Sequence, residues 1–329
     1  MKKILAFIMC VTMLLSASAC QSEVTETEES DSATTETWVL PTSDRYGNSI
    51  TVPESIEKIV SMAPSTTQVL IELGLADKIV GIDTYSADMA DRLSGDVVQF
   101  DMMTPDNEAI AALEPDIVFT TGMSNVGGVD AYQTLRDAGI CVADIPSSES
   151  LASIEEDIKF IGSCFAGDSA VVSAAQQIIS DMDADIEELK SIGSTVSEKK
   201  TVLFLLSVPT ADYPTVYTFG SGTFLNELIE LVGAENVFAN QESWISVSVE
   251  ECAALNPDVI ITNADYLEDA AAEVAAVSGW ENVAAVQNGE IYVIGSNLSS
   301  RPNEHVLDCG WIIGRDIYPD YFTASDEAA

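Results

Sequence analysis

Glu108 and Glu250 share a setting, because the chain writes one segment twice. NEAIAALEPD from Asn107, followed by IVFTT, returns as VEECAALNPD from Val249, followed by VIITN. At this offset of 142 positions Glu108 matches Glu250, Leu113 matches Leu255 and Pro115 matches Pro257. Each glutamate falls in the first turn of a predicted helix, after Thr104-Pro105 in one copy and Ser248 in the other. There a carboxylate complements the helix dipole, for about 0.3–1 kcal/mol. Catalytic chemistry is scarce elsewhere. His305 is the only histidine, no G-x-S-x-G elbow occurs, and the GSG at Gly220 lacks its spacing. No G-x-x-x-x-G-K loop is present, so ATP hydrolysis would fall to a separate subunit. A zinc or manganese cargo site normally uses several histidines with carboxylates, which one histidine does not supply. The chain reads as a binding protein and not as an enzyme.

The elements that must position these residues are also doubled. Upstream of each copy lies a similar stretch, STTQVLIELGLADKIVGID from Ser65 and GTFLNELIELVGAENVFAN from Gly222. Two copies of one plan predict two lobes with a cleft between them. Short β-branched runs at 58, 78, 116 and 140 alternate with helical patterns at Ser65–Leu73, Asp106–Leu113, Tyr132–Ala138 and Ser150–Phe165. Runs at 201, 258 and 290 alternate with helices at Thr223–Val232, Val249–Leu255 and Asp269–Val277, and a closing helix covers about 302–317. Such alternation predicts doubly wound parallel sheets, an α/β fold. Between the halves, Asp168 to Ile192 has no Pro or Gly and is apolar at spacings of three, four and seven. This predicts a single helix of roughly 37 Å joining the lobes, which permits only small relative motions.

The N-terminus carries an address. Lys2 and Lys3, the apolar run from Ile4 to Leu15 and SASAC ending at Cys20 have the layout of an export signal too short to span a bilayer. Cys20 after Ala17-Ser18-Ala19 resembles a lipobox cysteine, which implies lipidation and anchoring to the outer face of the cytoplasmic membrane. Residues 21–37 hold six acids and eight Ser/Thr with no Lys or Arg, the composition of a solvated tether. The expected organisation is a signal at 1–20, a tether at 21–37, an N-terminal lobe at 38–166, a connecting helix at 167–193, a C-terminal lobe at 194–322 and a tail at 323–329. The formal charge of -41 excludes nucleic acid as a partner. Cys141, Cys164, Cys252 and Cys309 match no metal motif. They could pair as Cys141 with Cys164 and Cys252 with Cys309, or stand as buried thiols, the reading favoured slightly.

Five segments taken in order resemble the class III substrate-binding proteins of bacterial ABC importers, which take up vitamin B12, ferric siderophores and haem. They are DRYGNSITVPESIEKIVSMAPSTTQVLIELGLADKIVGID, NEAIAALEPDIVFTTG, FGSGTFLNELIELVGAENVF, WISVSVEECAALNPDVIIT and NGEIYVIGSNLSSRPNEHVLD. The resemblance spans residues 39 to 322 and implies two α/β lobes on a long backbone helix, acting as a monomer with an ABC permease and ATPase. It implies that Glu108 and Glu250 dock onto permease arginines. Tyr85 and Trp244 match positions facing ligand from opposite lobes, with Trp244 expected in a loop. Where B12 binders often carry another tryptophan this chain has Met102 or Met103, with Phe100 nearby. Arg301 matches a position at the cleft mouth suited to a ligand carboxylate or phosphate, and His305 is a weak candidate for haem iron. No intrinsic cofactor is implied. The expected cargo is a metal chelate, a corrinoid before a ferric hydroxamate, because a base-poor chain suits a nearly neutral ligand. The alternatives are a haem-binding importer lipoprotein or a surface-anchored sensing or interaction protein on the same fold.

Overall fold

Strand β1 (Ile59–Ser61) is the central strand of a five-stranded sheet built with β2 (Ile79–Asp83), β3 (Val98–Phe100), β4 (Ile117–Thr120) and β5 (Cys141–Asp144). The order is β3-β2-β1-β4-β5, and every pairing is parallel. This computed structural model describes residues 38–124 and 128–323. The expected signal segment, the tether, Cys20 and residues 324–329 of the expected tail lie outside them. β1, β4 and β5 are buried along their whole length, as a sheet covered on both faces requires. The covering helices are α1 (Pro64–Glu72), α2 (Asn107–Ala112), α3 (Gln133–Asp137) and α4 (Leu151–Cys164). α1 opens on Pro64, whose missing N–H costs nothing in a first turn. α4 opens on a capping box between Ser150 and Ser153.

Helix α5 (Ser169–Gly193) joins the lobes, and its first amides are capped by the Asp168 carboxylate. Small residues let it pack closely at both ends. A Cβ on Gly162 of α4 would lie 2.8 Å from the Ala175 Cβ of α5 and 2.8 Å from the Trp38 ring. A Cβ on Gly193 would lie 2.0 Å from the Leu231 carbonyl oxygen and 2.8 Å from the Gly233 nitrogen, so here backbone meets backbone. Gly233 itself has φ +83, the left-handed region that favours glycine.

The second lobe contains β6 (Thr201–Leu205), β7 (Thr215–Phe219), α6 (Phe224–Leu231), β8 (Glu235–Asn236), β9 (Trp244–Ser248) and α7 (Val249–Leu255). It continues with β10 (Val259–Thr262), α8 (Ala270–Ala275), α9 (Ala284–Asn288), β11 (Ile291–Val293), α10 (Ser296–Ser300) and α11 (Val306–Ile317). A parallel sheet runs β11-β10-β6-β8, and β7 pairs with β9 as an antiparallel ribbon. The ribbon, β3 and β8 go beyond the sequence reading. Trp244 begins β9 opposite Phe219, so the loop expected there is a strand. Its residues alternate between exposed and half-buried, a period of two that is short and weak in WISVS.

All four body cysteines are buried free thiols. Burial pushes Cys141 up to about 11, and Cys252 and Cys309 up to about 12, which leaves them unreactive. Cys252 and Cys309 belong to separate apolar clusters, so they make no pair.

Candidate functional site

A cavity of about 330 Å³ opens where the first sheet ends. In the order β3-β2-β1-β4-β5 the chain winds outward from β1 in one direction and from β4 in the other. The crevice beyond the carboxyl ends at such a switch is where doubly wound sheets bind ligands. All five strand ends contribute to the wall: Ala63 and Pro64 follow β1, Tyr85 follows β2, Met102 and Met103 follow β3, Thr121 and Met123 follow β4, and Ile145 to Ser147 follow β5. Val69 of α1 and Ile154, Ile158 and Ile161 of α4 form an apolar floor. The second lobe adds Asn297, Ser300, Arg301 and Pro302 from α10 and the turn after it.

Arg301 and Asp157 are the only charged residues of this lining among the described residues, and both are paired. Arg301 is 8% exposed. Its guanidinium donates to both Asp88 oxygens, at 2.9 and 2.8 Å, and to the Tyr85 carbonyl at 2.8 Å. The Asn297 amide donates to the same Asp88 carboxylate at 3.0 Å. The hydrogen bond from Arg301 holds the Asp88 carboxyl below the usual carboxylate range. Arg301 and Asn297 come from the second lobe and Asp88 from the first, so this group is a clasp across the cleft. Asp157 takes a hydrogen bond from Arg45 at 2.6 Å and another from the Ser148 hydroxyl. Burial raises its pKa, and those two bonds oppose the rise.

Of the residues singled out in the sequence, Tyr85, Met102, Met103 and Arg301 meet in this lining. Tyr85 is 63% exposed and Met103 42%, so both present surface to an incoming molecule. Phe100 does not: it is buried in the core over Gly81, where a Cβ would come within 2.8 Å of its ring. Trp244 is half exposed but lies outside the lining, standing edge-on to Phe219 and Phe224 at ring separations of 5.8 and 6.3 Å. His305 sits at the start of α11 against Asp308 and α1, also outside the lining. Sequence reading missed Thr121, Met123 and Ile145 to Ser147, although each directly follows a strand run and was accessible from that rule. Asp88 carried no signal, because its partners are more than 200 positions away and it is one of 54 acids.

Glu108 and Glu250 are exposed and occupy the same helical position. In α2 the Asp106 side chain accepts from the Ala109 amide at 3.0 Å, and in α7 Ser248 accepts from the Glu251 amide at 3.1 Å. Each glutamate is the second residue of its helix. Glu114 and Asn256, again 142 apart, both take the left-handed conformation after their helices, with φ of 53 and 48.

A sequence profile of the family described as periplasmic binding protein matches residues 59–298. The chain is 28% identical over 322 residues to the uncharacterized ABC transporter substrate-binding lipoprotein YvrC of Bacillus subtilis, covering 96% of each protein. It is 27% identical over 272 residues to a cobalamin-binding protein of Halobacterium salinarum, covering 80% of this chain and 70% of that one. A solved structure described as a possible iron-binding periplasmic solute-binding protein from Staphylococcus epidermidis superposes with a TM-score of 0.68 at 25% identity. It covers 80% of this chain and 99% of that one. With the family match spanning most of the folded body, the chain belongs to the class III periplasmic binding proteins, the substrate-binding proteins of ABC importers.

Proposed function

We propose that the protein is a lipid-anchored receptor that captures a nearly neutral metal chelate in its cleft, foremost a corrinoid and next a ferric hydroxamate. The observation that carries this reading is the charge state of the lining: its one cation and its one anion are both already paired. A triscatecholate siderophore would bring several negative charges and find no free arginine in that lining, whereas the amide-rich rim of a corrinoid needs hydrogen bonds and apolar contact. Tyr85 offers an aromatic face, and Met102, Met103 and Met123 offer adaptable thioether surface. Relatives named for cobalamin support the same choice. Haem is less well served, since His305 stands outside the lining.

In this reading Cys20 carries the lipid, residues 21–37 tether a monomeric body to the outer face of the cytoplasmic membrane, and Glu108 and Glu250 dock it on the permease. The protein performs no catalysis, and a separate ATPase drives transport. Titration of the lipid-free protein with cobinamide, cobalamin, haem and ferrichrome, followed by tryptophan fluorescence and ligand absorbance, tests the cargo. Saturable binding of the corrinoids at micromolar levels or below is expected, and their failure to bind while haem or ferrichrome does would overturn the assignment.

A further inference from the structure

Away from the cavity, at the joint between α1 and α11, three potential ligand atoms converge. The His305 Nε2 lies 3.5 Å from Glu72 Oε1 and 3.5 Å from Glu304 Oε1, and all three atoms fall within 4.8 Å of one another. The Gln68 amide nitrogen lies 3.3 Å from the same ring nitrogen, and the two carboxylate separations sit at the outer limit of a hydrogen bond. They match the edge of a tetrahedron, about 3.4 Å, around an ion bound at roughly 2.1 Å to nitrogen and oxygen. The other ring nitrogen, Nδ1, meets the Asp308 carboxylate at 3.0 Å, the outer contact that fixes a metal-binding histidine with Nε2 toward the ion.

Glu304 supplies an independent observation. Its side chain is 11% exposed, and both carboxylate oxygens are buried without a hydrogen-bond partner. A buried carboxylate with no hydrogen-bond donor and only a part-exposed imidazole 3.5 Å away is a costly arrangement that a bound cation would relieve. Glu72 is better supplied, accepting from Gln68 at 2.7 Å and Arg92 at 2.8 Å, and Arg92 is exposed enough to move aside. His305 is 42% exposed, which leaves room for water at a fourth position.

We infer that Glu72, Glu304 and His305 form a binding site for a divalent transition-metal ion of the zinc type, which bridges the two lobes. Glu72 belongs to the first lobe, and Glu304 and His305 to the second. This ion is distinct from any transported chelate: it lies outside the cavity and would staple α1, whose first turns line that cavity, to the base of α11.

The lone histidine makes the test direct. In the untagged full chain, stripped with chelator, the imidazole proton resonances belong to His305 alone, and zinc chloride is added in steps. They should shift and saturate at one equivalent, with calorimetry giving the same stoichiometry and magnesium chloride giving neither effect. Glu304→Gln should weaken zinc binding by at least about tenfold, and Asp308→Asn, which leaves all three ligand atoms in place, by about 10- to 100-fold. Imidazole resonances that stay fixed at saturating zinc, or zinc binding unchanged in both variants, would overturn the inference by assigning the metal to the acidic surface. If Glu304→Gln fails to fold, the wild-type resonance shift and the Asp308 variant still decide.

Discussion

The two lobes carry the same joint and differ in what surrounds it. In the first, Asp116 accepts from the amides of Glu57 and Lys58 at 2.7 and 2.9 Å, tying the start of β4 to the entry of β1. In the second, Asp258, 142 positions later, accepts from the amide and hydroxyl of Thr201 at 2.9 and 2.7 Å, tying the start of β10 to β6. The helix caps, the exposed glutamates and the left-handed turns repeat as well. The likeness extends to the order of four parallel strands, β2-β1-β4-β5 matching β8-β6-β10-β11, and stops at the strands beyond them. The first lobe sends five parallel strand ends to the cavity, while the second spends two strands on the β7–β9 ribbon and reaches the cavity through α10 and its turn. What the lobes share is the helix–strand joint, and what they do not share is the way each reaches the cavity.

The most severe way to break the symmetric side is to reverse both glutamates. Glu108→Arg with Glu250→Arg should abolish uptake in a transport assay while ligand affinity in solution stays within about twofold. Each single reversal should act through one lobe only and leave part of the uptake, because docking energies on separate sites add. Unchanged transport in the double variant would remove both residues from the docking surface.

Next comes the seam between α5 and the second lobe. Gly193→Ala forces a Cβ into the Leu231 carbonyl and should cost about 3 kcal/mol or more, because rigid backbone on both sides has no rotamer to yield. Denaturant unfolding measures it. Gly162→Ala, which meets side chains and not backbone, should cost less in the same assay. Asp116→Ala and Asp258→Ala form the sharper comparison. Each removes one carboxylate acceptor with two donors, so each should lose about 1–2 kcal/mol, and the two losses should agree within about 0.5 kcal/mol. Unequal losses would mean that the repeated sequence does unequal work.

The smallest effect concerns the clasp. Arg301 holds Asp88 below its ordinary pKa, so the stabilisation is fully present above that ordinary value, near 4, and is lost as pH falls through the depressed one. Asp88→Asn should therefore lower stability by about 1 kcal/mol at pH 7, a modest figure because Asp88 is 44% exposed. The gap between variant and wild type should stay constant down to about pH 4 and close below it. A gap that widens in acid would reverse the assigned sign.

Much of this architecture was legible in the residues. Runs such as IVFT and IITN show their strands because buried parallel strands are continuously apolar, and α5 shows itself through 25 residues of helical spacing without Gly or Pro. Periodicity could not reveal β3, three residues long, or β9, whose alternation spans only five. Resemblance pointed to Arg301 at the cleft mouth and left open whether its charge meets a ligand or an acid; the partner, Asp88, is a long-range contact with no local trace. The same limit applied to Phe100, whose burial depends on the absence of a side chain at Gly81. In the sequence His305 is the only histidine, with no second one to mark a metal site. Of its carboxylate neighbours Glu304 and Asp308 are local in sequence, and Glu72 lies on a distant helix that only folding brings in.

Because α5 is seated on both lobes through close glycine and alanine contacts, it opposes changes in their opening, as a stiff caliper would. The span between Glu108 and Glu250 is then a property of the body and not of its cargo. A permease gripping those two points would hold empty and loaded protein almost equally, since affinity that is the same for both states cannot tell them apart. Empty receptors would queue for the same seat as full ones, and the rate of import would follow the filled fraction of the pool more closely than its size.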